Sequence, residues 1–181
     1  MGAGERIFEQ GLEMNKLSLS ALSLSILVLS SGAQAATALS TVRVTATVVR
    51  TCTVAATTVA FGNYTPGTAP ANVNSNIAVT CTKGTPFTVA LDKGTTVGGT
   101  IAQRLMAGGG ATTLQYNLYQ TGGVTLFGDG VTGGSTVAVP AASVTGAAFN
   151  VPVVGIMLDN ANNQAALAGN YTDTVGVTVT Y

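Results

Sequence analysis

From residue 36 onward the chain alternates. Val42, Val44, Ala46 and Val48 share one parity, with Arg43, Thr45 and Thr47 between them. This is the period-two pattern of a strand that buries one face. The same reading predicts strands over 42–49, 53–61, 76–82, 86–92, 113–120, 135–139, 147–158 and 171–181. Between them lie GNYTPGTAP, KGTTVGGT, AGGGATT, TGGV, GDGVTGG and LDNANNQAALAGN. Glycine supplies positive φ in such turns and asparagine tolerates left-handed backbone. No segment after residue 35 has a convincing helical period, and many short strands at this spacing predict a β-sandwich or barrel.

Two strands carry further information. Pro152 interrupts FNVPVVGIML, which predicts an edge strand or two strands joined by a bend, because proline cannot donate to a ladder. The final stretch, GNYTDTVGVTVTY, places Tyr171, Asp173, Val175, Val177, Val179 and Tyr181 on one parity and Thr or Gly on the other. An apolar-faced strand there, with no chain beyond it to pair, is an edge that must be covered.

The first 35 residues read differently. Residues 14–35 have the three parts of a secretory signal: Lys16, an apolar run from Leu17 to Leu29, and Ala33-Gln34-Ala35 as a cleavage site. The run is broken by serines and falls short of the roughly 20 residues that span a bilayer. Residues 1–13, acidic and ahead of Met14, read as a gene-model extension; an unusually long n-region is the alternative.

Removing 1–35 leaves five basic and four acidic residues in a chain that is 46% hydrophobic overall. That balance opposes disorder and leaves no basic footprint for nucleic acid. Histidine is absent, as are Trp and, after residue 35, Glu, so no Ser-His-Asp or Cys-His arrangement and no ordinary zinc site can be built. Asp129 and Asp159 sit in turn-like contexts, and Ala161 and Asn163 do not continue a calcium loop. Tyr116 and Tyr119, three apart, alternate faces and read as packing residues rather than a sugar platform. No cofactor and no enzymatic activity are expected. Cys52 and Cys81 are both in the exported part, where the default is one structural disulfide and the alternative a free reactive pair.

These features together resemble the Spore Coat Protein U domain family, which includes the main subunits of archaic, Csu-type chaperone–usher pili. The resemblance rests on a Cys just after an alternating N-terminal segment, FGNYTPGT after that Cys, LQYNLY in mid-chain and AGNYTDTVGVTVTY at the end. It covers nearly all of 36–181. The chain departs from many relatives in having LFGDG at 126–130 in place of a Trp-Gly, and VGIMLDN in place of Gly-Arg-Ile-Pro.

The resemblance implies an all-β fold: an incomplete immunoglobulin-like sandwich over 51–181, completed by a donor strand from a neighbouring subunit. Residues 36–50 would be that donor segment, presenting Val42, Val44, Ala46 and Val48. Val175, Val177, Val179 and Tyr181 would form the acceptor and chaperone-binding strand, the chaperone anchoring the carboxylate at Tyr181. The implied partners are identical or related pilin subunits in a head-to-tail polymer, a periplasmic chaperone and an outer-membrane usher. The implied location is the cell surface, reached through the periplasm. From pattern alone the N-terminal strand pairs equally well within its own sandwich, giving a self-contained secreted or coat protein. A receptor-binding tip adhesin fits less well, since it carries an extra domain and has no use for a donor strand.

Overall fold

The computed structural model describes residues 35–108 and 110–181. The expected extension over 1–13 and all but the last residue of the expected signal over 14–35 lie outside the described residues. Contacts divide the chain into two units, Met1–Val44 and Thr45–Tyr181. In the first, residues 35–44 have no regular secondary structure, and Leu39, Val42 and Val44 are exposed.

The second unit is all-β with two sheets. Its strands are β1 (Cys52–Ala56), β2 (Val73–Cys81), β3 (Phe87–Leu91), β4 (Arg104–Gly108), β5 (Thr112–Tyr119), β6 (Val137–Val139), β7 (Phe149–Ile156), β8 (Tyr171–Thr172) and β9 (Val177–Thr180). The larger sheet runs β1-β2-β7-β5-β4-β8 and the smaller β6-β3-β9, with every strand pair antiparallel. One helical turn, α1 (Ala161–Gln164), interrupts the connection from β7 to β8. Among the described residues no helix is long and apolar enough to cross a membrane.

Alternation places the core. Ile77 and Val79 of β2, Leu114, Tyr116 and Leu118 of β5, Val151 and Val153 of β7, and Phe87, Val89 and Leu91 of β3 form one buried cluster shared by both sheets. Each such side chain contributes about 1.5–3 kcal/mol of transfer free energy. Cys52 and Cys81 are register partners at the ends of β1 and β2 and are bridged, with S–S 2.02 Å. In the chain-entropy model a loop of this size contributes roughly 3–4 kcal/mol. The bridge ties an edge strand to the sheet at its first residue.

Several expected elements differ. No strand forms over 42–49: the ladder of β1 with β2 begins at Cys52, and Thr51 is held only by bonds to Thr82. Alternation records which face a strand would bury; a strand also needs a partner. The strand expected over 53–61 ends at Ala56, after which Val59 and Phe61 turn onto the core. The expected C-terminal strand divides into β8 and β9, which belong to different sheets. Pro152 lies within an unbroken strand and not in an edge strand. β7 pairs β2 through that position, while β5 pairs only Val154 to Ile156, so one side of Pro152 is locally unpaired.

Candidate functional site

The strands at the open side of the sandwich have correct facing and incomplete burial. Cys52, Val54 and Ala56 of β1 stand opposite Cys81, Val79 and Ile77 of β2. Val79 is wholly buried, yet Val54 is 46% exposed. The same holds for β9. Val177 and Val179 are opposite Leu91 and Val89, both buried, but are themselves only half-buried. Beside each of these edges a strip of core lacks its outer layer.

A groove of about 1150 Å³ opens at the Ala56 end of β1 and the Val177 end of β9. One rim is residues 56–64, which follow β1; the other is residues 166–175 with Val177. Core residues including Ile77, Leu91, Leu114, Tyr116 and Val153 line it between the rims. Gly155 lets the first rim lie down: a Cβ there would meet Val59 Cγ1 at 2.4 Å and Phe61 Cζ at 3.1 Å. Phe61 also packs edge-on against Tyr116, with centroids 6.0 Å apart.

A polar network fixes the second rim. Tyr116 donates its hydroxyl to Asp173 Oδ2 at 2.6 Å, while Asp173 Oδ1 accepts from the amides of Thr95 at 3.0 Å and Thr96 at 3.1 Å. Burial first, and the Asp173 carboxylate second, push the Tyr116 phenol far above its usual range, so it stays a donor. Asp92 Oδ1 accepts from the Gly176 amide at 2.8 Å. A Cβ at Gly176 would lie 2.4 Å from Asp92 Oδ2, so a larger residue there would displace that carboxylate. Arg104, wholly buried, donates to the carbonyls of Asp92 and Phe127. Burial lowers its pKa, with Tyr116, Asp92 and Asp173 acting in the opposite direction. Together these bonds carry the chain from β8 in one sheet to β9 in the other.

Of the expected site residues, Val175 and Val177 line the groove. Val179 lies further along the same face of β9, and Tyr181 is 56% exposed. Val42, Val44 and Val48 are exposed, and Thr45 to Arg50 belong to no strand. Asp129 is a turn residue as expected, accepting from the amides of Val131, Thr132 and Gly133. Asp159 does more than shape a turn: it accepts from the Tyr64 hydroxyl and from the Gly67 amide at 3.1 Å. Sequence reasoning missed that pair, along with Arg104 and Asn163. A signal was present for Tyr64: GNYT occurs at 62–65 and again at 169–172, one copy on each rim. Among the described residues no group of three or more His, Cys, Asp or Glu comes together to hold a metal.

The fold and the sequence both have relatives. A chain of the crystal structure of the CsuC–CsuE chaperone–tip adhesion subunit pre-assembly complex, from archaic chaperone–usher Csu pili of Acinetobacter baumannii, superposes with a TM-score of 0.53 at 26% identity. The match covers 75% of this chain and 40% of that one, so the present chain spans less than half the length of its structural relative. The two sheets with an uncovered edge are accordingly an incomplete immunoglobulin-like sandwich of the pilin kind. No curated protein matches the sequence. The Spore Coat Protein U domain matches residues 38–178, and with most of its length so accounted for, the chain belongs to the Spore Coat Protein U domain family.

Proposed function

We propose that the chain is a structural subunit of a surface pilus, assembled by donor-strand exchange through a periplasmic chaperone and an outer-membrane usher, and serving adhesion and biofilm formation. The observation that carries this is the open groove between residues 56–64 and 166–177, floored by core residues, together with Val54, which is on the core-facing side of its strand and exposed although Val79 opposite it is buried. A sandwich in this state needs one more strand. Residues 42–48 have the composition of one, and they are exposed.

The occupant is argued from chemistry. An extended segment added to a free edge gains backbone hydrogen bonds along its length and places alternate side chains in the groove. Burying Val42, Val44, Ala46 and Val48 contributes roughly 5–8 kcal/mol from area, before the cost of ordering the segment. Supplied head to tail, this contact does not close on itself, and a heterologous contact that does not close builds a filament. The chaperone holds the groove first, and the next subunit's segment replaces it. Export follows from the signal expected over 14–35, with the final location at the cell surface. The protein's role is mechanical; it is not an enzyme.

Deletion of residues 42–49 tests the reading. The subunit should still accumulate with chaperone, but no fibre should extend from it. If the segment instead completes its own sandwich, the deletion destroys the monomer and chaperone does not rescue it.

A further inference from the structure

The two rims of the groove are held by different devices that meet on one connection. On the first rim the last ladder bond runs from the Thr57 amide to the Asn76 carbonyl at 2.9 Å. Beyond it, residues 58–64 belong to no strand. They are held by Val59 and Phe61 against Gly155 and Tyr116, and by the hydrogen bond from Tyr64 to Asp159. On the second rim the Tyr171 hydroxyl donates to the Leu167 carbonyl at 2.6 Å. Its single proton is thereby used, so Thr112 Oγ1, 2.5 Å away, donates to it.

Asp159 and Leu167 both lie on the connection between β7 and β8, which contains α1. Asn163 of α1 anchors that connection to β5 through Gln115. The connection therefore ties the rims together: Tyr64 of the first rim is bonded to its Asp159, and it runs on into the second rim, where Leu167 accepts from Tyr171, each tyrosine belonging to a GNYT tetrapeptide. The attachments are not equivalent. Tyr171 belongs to β8 and is paired with β4, whereas Tyr64 sits on a rim without a ladder. Desolvation first and the Asp159 bond second push the Tyr64 phenol up to about 12, so it donates throughout the physiological range. Asp159 is in turn steadied by the Gln164 side chain, at 3.1 Å.

We infer that Tyr64 and Asp159 form a latch that fixes the width of the groove, and that they are positioning residues for the strand it accepts. This rests on the donor-strand reading above. Neither residue needs to touch the incoming strand. With the latch closed, the rim carrying Val59 and Phe61 is pinned at both ends. With it broken, that rim is free to swing, so a strand enters more easily and is held less tightly. Strand entry and release are the quantities affected, ahead of the stability of the empty subunit.

The test uses the full exported chain, freed of chaperone and refolded as monomer at high dilution so that no neighbour's segment fills the groove. The ligand is a fluorescent synthetic peptide of the chain's own residues 36–50, with association and dissociation followed separately. The parent binds the peptide. Tyr64→Phe and Asp159→Leu release it about tenfold faster, as expected for loss of one hydrogen bond to a charged group, and association does not slow. Hydrogen exchange at Gly67 and Thr68 quickens in both variants. Asp159→Leu is close to the aspartate in shape and removes both acceptor oxygens, so the result can be read on it alone if Tyr64→Phe folds poorly. Unchanged release from both variants, with the parent still binding, overturns the latch and leaves the donor-strand reading standing. A parent that does not bind the peptide overturns both.

Discussion

Asn163 stands in for a missing stretch of strand beside Gln115. Its Oδ1 accepts from the Gln115 amide at 2.6 Å and its Nδ2 donates to the Gln115 carbonyl at 2.9 Å. β7 reaches β5 only from Asn117 to Tyr119, so Gln115 has no ladder partner on that side. Asn163 is wholly buried and also donates to the Leu158 carbonyl at 2.7 Å. Asn163→Ala should cost about 1–3 kcal/mol for each buried group left unpaired. Chemical denaturation checks this as a lowered midpoint. Asn163→Asp should be worse than Ala, since it loses the donor and buries a charge.

Arg104 makes a parallel case. Its guanidinium satisfies the carbonyls of Asp92 and Phe127 inside the core. Arg104→Met preserves much of the volume but strands those carbonyls, and several kcal/mol should be lost. A denaturation midpoint within error of the parent's would contradict this.

These two residues also show where reading the chain stops. The apolar alternation of β2, β3, β5 and β7 was legible, because their core faces carry Val, Leu, Ile, Phe and Tyr. Strand β4 was not, because a charged residue, Arg104, occupies its buried position and glycines follow Ala107. The disulfide was legible from compartment and count. The division of 171–181 between two sheets was not: its parity is unbroken, and what divides it is Asp173, bound to Thr95 and Thr96 nearly eighty residues earlier. For the groove, the shared parity of Val175 and Val177 is in the sequence, but the half-burial of Val177 appears only once β3 is placed beside β9.

Acid should loosen the loop at Asp129 in a defined window. Bonds from the Thr132 hydroxyl and the Val131 amide, foremost among several, hold its carboxyl at about 2, below the ordinary 3.8. A depressed folded pKa means the contribution is fully present above the unfolded value and is lost as pH falls through about 2. The parent should therefore melt above Asp129→Asn at pH 5, and the two should converge as pH approaches 2. A gap that widens on acidification would refute the assignment.

Substitutions in β9 should divide by face. Val177 lines the groove and Thr178 is exposed on the opposite side. On the proposed function, Val177→Asp would place an unpaired charge where the donor strand excludes water, costing several kcal/mol in the filled state. Chaperone-bound subunit should be lost from periplasmic extracts, while Thr178→Asp accumulates normally. Equal yields of the two would remove β9 from the acceptor site.

The central claim is that the exposed N-terminal segment completes a neighbour's sandwich. Val44 and Arg43 are adjacent in sequence, yet in a paired strand they point to opposite faces. The direct measurement is heat-labile polymer on gels, with surface pili counted by electron microscopy, for Val44→Arg and Arg43→Ser side by side. The account predicts loss of polymer for Val44→Arg and near-parental polymer for Arg43→Ser. Polymer formation by Val44→Arg at the parental level would contradict it.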